Sequence, residues 1–141
     1  MRLTYPAYLQ KNDDDSYTIE IPDLPGCISF GDDMADAIIM GIDAASGWIL
    51  DELEDGKSIP YSTPIGELSE KKEAITTFLV LDMDSYAEKY GNKAVRKNLT
   101  IPAWLNTYAE KKGINFSEVL QNSLQNLYIK ESESDYKADI P

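Results

Sequence analysis

The chain has no histidine and a single cysteine, Cys27. Without histidine it lacks the commonest general base and metal ligand, and Ser/His and Cys/His nucleophile pairs are excluded. One cysteine rules out an internal disulfide and any multi-cysteine zinc site, and it fits a reducing compartment, so a cytoplasmic location is expected. No uninterrupted apolar run approaches bilayer length, and the opening MRLTYPAYLQKNDDD has no apolar segment long enough for a signal peptide. Neither secretion nor membrane insertion is expected. Basic residues are scarce as well: 13 Lys and Arg face 25 Asp and Glu, a net charge of -12. What is present is enough for a fold, since 43% hydrophobic content in 141 residues supports a buried core.

The charge is unevenly placed. Residues 1-92 carry six bases against nineteen acids, or -13, and the segment from Glu131 onward adds -3. Between them, residues 93-130 hold six bases and two acids, or +4. A chain this acidic is repelled by nucleic acid as a whole, so a local basic island reads as a surface that faces phosphate.

The N-terminal part reads as β-β-β-α-β. Leu3, Tyr5, Ala7 and Leu9 alternate with polar or small residues, as do Tyr17, Ile19 and Ile21, which gives two strands joined by a turn over Asn12 to Ser16. PDLPG at 22-26 is a proline-stiffened connection into a short strand from Cys27 to Phe30. Asp33 then caps a helix over Met34 to Leu53, with Asp36 in capping-box position and Ala37, Ile38, Gly41, Ile42, Ala45, Trp48, Ile49 and Leu53 at helical spacing. Gly56 and Pro60 end it, a loop follows to Lys72, and Ile75 to Leu81 reads as a fourth, largely buried strand. One helix covers one sheet face, which leaves the other for a partner or a second copy. A short linker helix over Asp84 to Tyr90 closes this part at Gly91, and the boundary is expected near residue 92.

The basic segment, from residue 93 to 130, reads as one strand and two helices. Val95, Lys97, Leu99 and Ile101 fall on one side of the strand, and Arg96, Asn98 and Thr100 on the other. Pro102 suits the first position of a helix whose inner stripe is Leu105, Tyr108 and Ala109 and which Gly113 ends. Asn115 caps the next helix, with Glu118 completing a capping box and a buried stripe of Phe116, Val119, Leu120, Ser123, Leu124, Leu127 and Tyr128. A lone strand has no ladder partner, and two helices cannot cover this much apolar surface, so a second chain is required. Residues 131-141, ESESDYKADIP, are too polar to pack and are expected to be a disordered acidic tail.

This order of elements resembles the ribbon-helix-helix family, whose paired strands enter the DNA major groove. The resemblance implies that Arg96, Asn98 and Thr100 contact bases, side-chain types that match guanine, adenine and a thymine methyl or either base. It also implies that Asn115 and Ser117, at a helix N-terminus, contact a phosphate. Lys97 departs from the apolar residue usual in that family. The string PDLPGCISFGDDMADAI at 22-38 in turn looks like the HicB antitoxin family. Taken together, the two resemblances span residues 3 to 129. They imply an α+β fold, with a partial ribonuclease-H-like toxin-binding domain over 1-92 and a ribbon-helix-helix module over 93-130. The implied function is that of a type II antitoxin: it blocks HicA, a small basic RNA-cleaving toxin, and represses its own operon at operator DNA. The implied assembly is a homodimer, with a tetramer left open by the uncovered sheet face. The acids Asp13 to Asp15, Asp32, Asp33, Asp36 and Asp51 to Asp55 suit a basic partner, without assigning a contact to any one of them.

No cofactor, metal site or catalytic residue is expected. A two-metal nuclease needs carboxylates converging from strands, whereas the strand interiors here offer mainly Glu20. A calcium loop starting at Asp13 fails, with Thr18 where glycine and Leu24 where the closing glutamate should stand. Cys27 lacks a base and reads as a small buried strand residue. The remaining alternative is a repressor whose N-terminal domain senses a small ligand.

Overall fold

The computed structural model describes residues 1-91 and 94-139, which divide into two compact units, Met1–Lys93 and Ala94–Pro141. The expected boundary at 92 and 93 itself lies outside the described residues.

The first unit follows the predicted order. Strands β1 (Arg2–Lys11), β2 (Tyr17–Glu20) and β3 (Ile28–Gly31) precede helix α1 (Met34–Glu54), and β4 (Ile75–Asp82) and helix α2 (Met83–Tyr90) follow it. All neighbouring strands pair antiparallel, in the order β3-β2-β1-β4. The β1–β2 turn closes through a 2.8 Å bond from the Asn12 N–H to the Ser16 carbonyl, with Asp15 left-handed at φ 68. Pro6 is tolerated in a central strand for a legible reason. The β1–β2 ladder ends at Tyr8 opposite Glu20, and two residues further along that register Pro6 would face Pro22, both without an N–H.

The alternation read from the sequence decides the core. Tyr5, Ala7, Leu9, Ile19, Leu79 and Leu81 turn toward α1 and meet Ala37, Ala45 and Ile49, all buried. Each large aliphatic among them contributes roughly 1.5–3 kcal/mol by leaving water. Gly41 lets the helix come close to the sheet: a Cβ there would lie 2.8 Å from Ile19 Cδ1. Gly31 is tighter still, since a Cβ would lie 2.1 Å from the Ala37 backbone nitrogen. The expected Asp33 cap is present, accepting from the Asp36 N–H at 2.7 Å, while the Asp36 carboxylate reaches back to the Asp32 N–H at 2.9 Å. One expectation is corrected. β4 is not largely buried: Leu79 and Leu81 are, but Phe78 and Val80 are 42% and 56% exposed, because α1 covers only the opposite face.

The second unit contains helices α3 (Ala103–Lys111) and α4 (Phe116–Asp139). Gly113, left-handed at φ 65, ends α3: its N–H bonds the Glu110 carbonyl at 3.1 Å and the Ile114 N–H bonds the Ala109 carbonyl at 3.0 Å. Three expectations change here. Residues 94–102 form no strand, because an isolated chain offers no ladder partner. The expected inner stripes stand largely open to solvent, from Leu105 and Tyr108 on α3 to Val119, Leu124 and Leu127 on α4, and Ala109 alone among the described residues of this unit is buried. The tail expected to be disordered continues α4 as far as Asp139. Extending an existing helix costs no new nucleus, and Glu133 stands four residues before Lys137, the spacing and order that favour an ion pair.

Candidate functional site

The residues expected to contact DNA all lie in the second unit. Arg96, Asn98 and Thr100 are exposed and alternate with Val95, Lys97 and Leu99, which are exposed too. At the start of α4, Asn115 accepts from the Glu118 N–H at 3.1 Å through its side-chain oxygen, and Ser117 stands exposed in the first turn. Asn115 is therefore committed as a helix cap, which leaves backbone N–H groups and the Ser117 hydroxyl as the phosphate-facing candidates. The apolar residues around them are the larger feature: Val95 is 77%, Leu99 65%, Trp104 71% and Leu124 55% exposed. Large apolar side chains left open in this number are candidates for an interaction surface.

In the first unit the PDLPG connection is a structural latch. The Leu24 N–H bonds the Ile21 carbonyl at 3.0 Å and the Cys27 N–H bonds the Leu24 carbonyl at 2.9 Å, while the Leu24 side chain is fully buried. Gly26 takes φ 78, which an L side chain resists, and the Trp48 indole N–H donates to the Pro25 carbonyl at 3.2 Å. Asp23 accepts from both the Thr63 backbone N–H, at 2.8 Å, and the Thr63 hydroxyl, which ties down the long loop between α1 and β4. Sequence reasoning missed this tie, because nothing local in a loop of 40-residue separation announces it.

The helix-free face of the sheet was also read too coarsely. It carries Ile28, Phe30, Phe78 and Val80, all substantially exposed. No local signal in ITTFLVLD could have shown it, because Phe78 to Leu81 is an unbroken apolar run and only its burial alternates. Part of this face is closed by the long loop: the Tyr8 hydroxyl donates to the Ser69 carbonyl, and Lys71 pairs with Glu20 at 2.5 Å while lying over the Tyr8 ring. Glu20, the strand carboxylate that a nuclease reading would need, is thus held by a lysine. Asp33 and Asp82 cap helices, the latter accepting from the Ser85 N–H at 3.2 Å. Burial raises the Cys27 thiol pKa, the opposite of what a thiolate nucleophile requires. The described residues contain no cluster of potential metal ligands, and no helix among them is long and apolar enough to cross a membrane.

A family model described as the HicB_like antitoxin of bacterial toxin-antitoxin systems matches residues 5–123. The chain belongs to this family. It is a HicB-like antitoxin of a toxin–antitoxin system, and the resemblance carried by PDLPGCISFGDDMADAI is borne out. The HicB-like chain is also 34% identical over 103 residues to an uncharacterized 14.9 kDa protein from the rep-hol intergenic region of Haemophilus phage HP1 (strain HP1c1), covering 73% of this chain and 76% of that protein. Its structure is similar to the N-terminal domain of the antitoxin HicB from Burkholderia pseudomallei, with a TM-score of 0.51 and 27% identity over 57% of this chain and 99% of that one. A chain of a toxin–antitoxin complex from Streptococcus pneumoniae shares the fold at a TM-score of 0.57 and 22% identity, covering 89% of this chain and 99% of that one.

Proposed function

We propose that this HicB-like antitoxin divides its work between its two units. The first, a partial ribonuclease-H-like domain, binds and neutralises a small basic RNA-cleaving toxin of the HicA kind. The second pairs with a second copy as a ribbon-helix-helix, binds operator DNA and represses the operon encoding both proteins. The observation that carries the second half is the state of residues 94–127: basic, alternating, and almost wholly exposed on their apolar side. Pairing two copies would give the 94–101 segments their ladder and bury Leu99, Val119, Leu120 and Leu124 at once. Arg96, Asn98 and Thr100 would then stand on the outer side of a two-stranded ribbon, the size that the major groove admits. Support for the first half comes from charge. The stretch 1-92, at -13, draws in a protein whose own surface must grip RNA, and competes with that RNA. The family supports a neutralising rather than an enzymatic role, as does the engagement of Glu20, Asp23, Asp33 and Asp82 in local structure.

The test is growth of cells expressing the adjacent small reading frame alone and with this chain, followed by pull-down and by titration of the operon's upstream DNA at fixed salt. Toxicity rescued by a stable complex, together with sequence-selective DNA binding, is the expected result. No toxicity and no complex, with DNA binding retained, would leave a repressor whose first unit serves another ligand.

A further inference from the structure

The long loop between α1 and β4 is fastened to the sheet in two ways. Near its start the ties are internal to the fold: the Tyr5 hydroxyl donates to the Pro60 carbonyl at 2.5 Å, and Asp23 takes both the N–H and the hydroxyl of Thr63. Near its end the loop lies against the helix-free face. There Ser69 accepts from the Tyr8 hydroxyl, and the Lys71 ammonium sits 2.5 Å from Glu20 and 5.7 Å from the centre of the Tyr8 ring. Carboxylate and ring together make a receptor for a cation. The Lys71 and Glu20 side chains are 44% and 36% exposed, and an ion pair in that much water holds weakly.

This receptor occupies the middle of the face. The strand register lines up Ile28, Glu20, Tyr8 and Thr76 in one row across all four strands. Phe30 adjoins the row on β3, Phe78 and Val80 adjoin it on β4, and all three are exposed, as is Ile28. Between the two ends of the sheet, Glu20 is the only charged residue that the strands turn to this face.

We infer that Glu20 and Tyr8 anchor the basic toxin: one of its arginines displaces Lys71, lays its guanidinium on the Tyr8 ring and takes both oxygens of Glu20, while Ile28, Phe30, Phe78 and Val80 close around it. The inference rests on the toxin-binding reading of the first unit and gives that reading a place. Lys71 is then a stand-in that keeps Glu20 paired while the chain is alone. A lysine reaches the carboxylate as a point charge, whereas a guanidinium meets carboxylate and ring with one planar group, so the exchange favours arginine. An arginine anchor ringed by apolar contacts is also what the centres of well-packed interfaces hold. Charge selects a basic protein over a second copy. At the rim of the face, Arg2, Lys11 and Lys72 are outnumbered by acids, Glu73, Asp82 and Asp84 among them. A second copy would bring the same excess of acid and another Glu20.

The experiment is calorimetric titration of the full chain with the purified product of the adjacent small reading frame, at physiological ionic strength. Lys71→Met frees Glu20 and is expected to tighten the complex about two- to fivefold, the worth of an exposed ion pair. Glu20→Gln is expected to weaken it by about tenfold or more, and Lys71→Met should add nothing once Glu20→Gln is present. Lys72→Met, one residue along, removes the same charge without freeing the receptor and should tighten the complex less. Circular dichroism melts should stay cooperative in every variant, since none of these side chains is buried. Equal gains from Lys71→Met and Lys72→Met overturn the inference, because they reduce the effect to net charge. So does a Glu20→Gln chain that binds as tightly as the wild type, an outcome that keeps the toxin reading and moves the contact elsewhere. No complex with the wild type removes that reading itself, and this site with it.

Discussion

The first unit closes a core by itself and the second does not. Tyr5, Ile19, Leu24, Ile49, Leu79 and Leu81 are each within a few per cent of full burial, whereas Phe116, Val119, Leu124 and Leu127 are between 45% and 59% exposed. Hydrophobic content does not separate the two, since both carry regular apolar patterns. Geometry does: a four-stranded sheet and a 21-residue helix cover each other's apolar faces, while two helices and a single extended segment leave theirs open. The pairing proposed for the second unit makes its stability depend on concentration, where that of the first is expected not to.

The sharpest way to break this comparison is a matched pair of truncations. Leu79→Ala, at 1% exposure, is expected to cost about 2–5 kcal/mol at any protein concentration. Leu124→Ala should leave the unpaired chain nearly unchanged and lower the dimerisation constant instead. Thermal melts across a hundredfold concentration range separate the two behaviours, and a concentration-independent loss in Leu124→Ala would show that the second unit folds alone.

Next in size is Gly31→Ala. The added methyl meets backbone rather than a movable side chain, so β3 and the start of α1 must part, at a cost of roughly 1–3 kcal/mol or more. The melt of the first unit and protection from the toxin should fall together, with DNA binding retained; loss of DNA binding as well would couple the units. Asn98→Ala is the complementary change, expected to weaken operator binding by about 1–3 kcal/mol and to relax one base position while toxin binding is kept. Unchanged affinity at fixed salt would remove Asn98 from base readout.

The smallest effect expected is one of pH. The Ser85 backbone N–H, bonded at the cap of α2, holds the Asp82 carboxyl below its ordinary value of 3.8, and Arg2 and the N-terminal ammonium assist. A depressed folded value means that the cap's contribution is present above 3.8 and fades as pH falls through the lower, folded value. A carbon-detected titration of Asp82 should therefore find a midpoint below 3.8, and one at or above it would remove the cap from acid sensitivity.

Much of this fold was legible because its signals are local. Asp33, Asp36, Gly113 and Asn115 mark helix ends by short-range hydrogen bonds, and the alternation in β1 and β2 names the core face whatever packs against it. The acidic end of α4 was misread because high polarity was taken to mean disorder, although a helix already begun needs little packing to continue. The openness of β4 was misread because an apolar run does not say how many of its faces are covered.

By itself the sequence determined the order of elements, the division of charge, the caps and breakers, and the family carried by the PDLPG segment and the helix after it. The tertiary structure alone decided that Asp23 holds Thr63 across the long loop, that Lys71 pairs with Glu20, and that β3 and β4 are the two edges of the sheet. These depend on residues far apart in the chain being brought together, and the pattern of any one segment does not encode which neighbour the rest of the fold will place beside it.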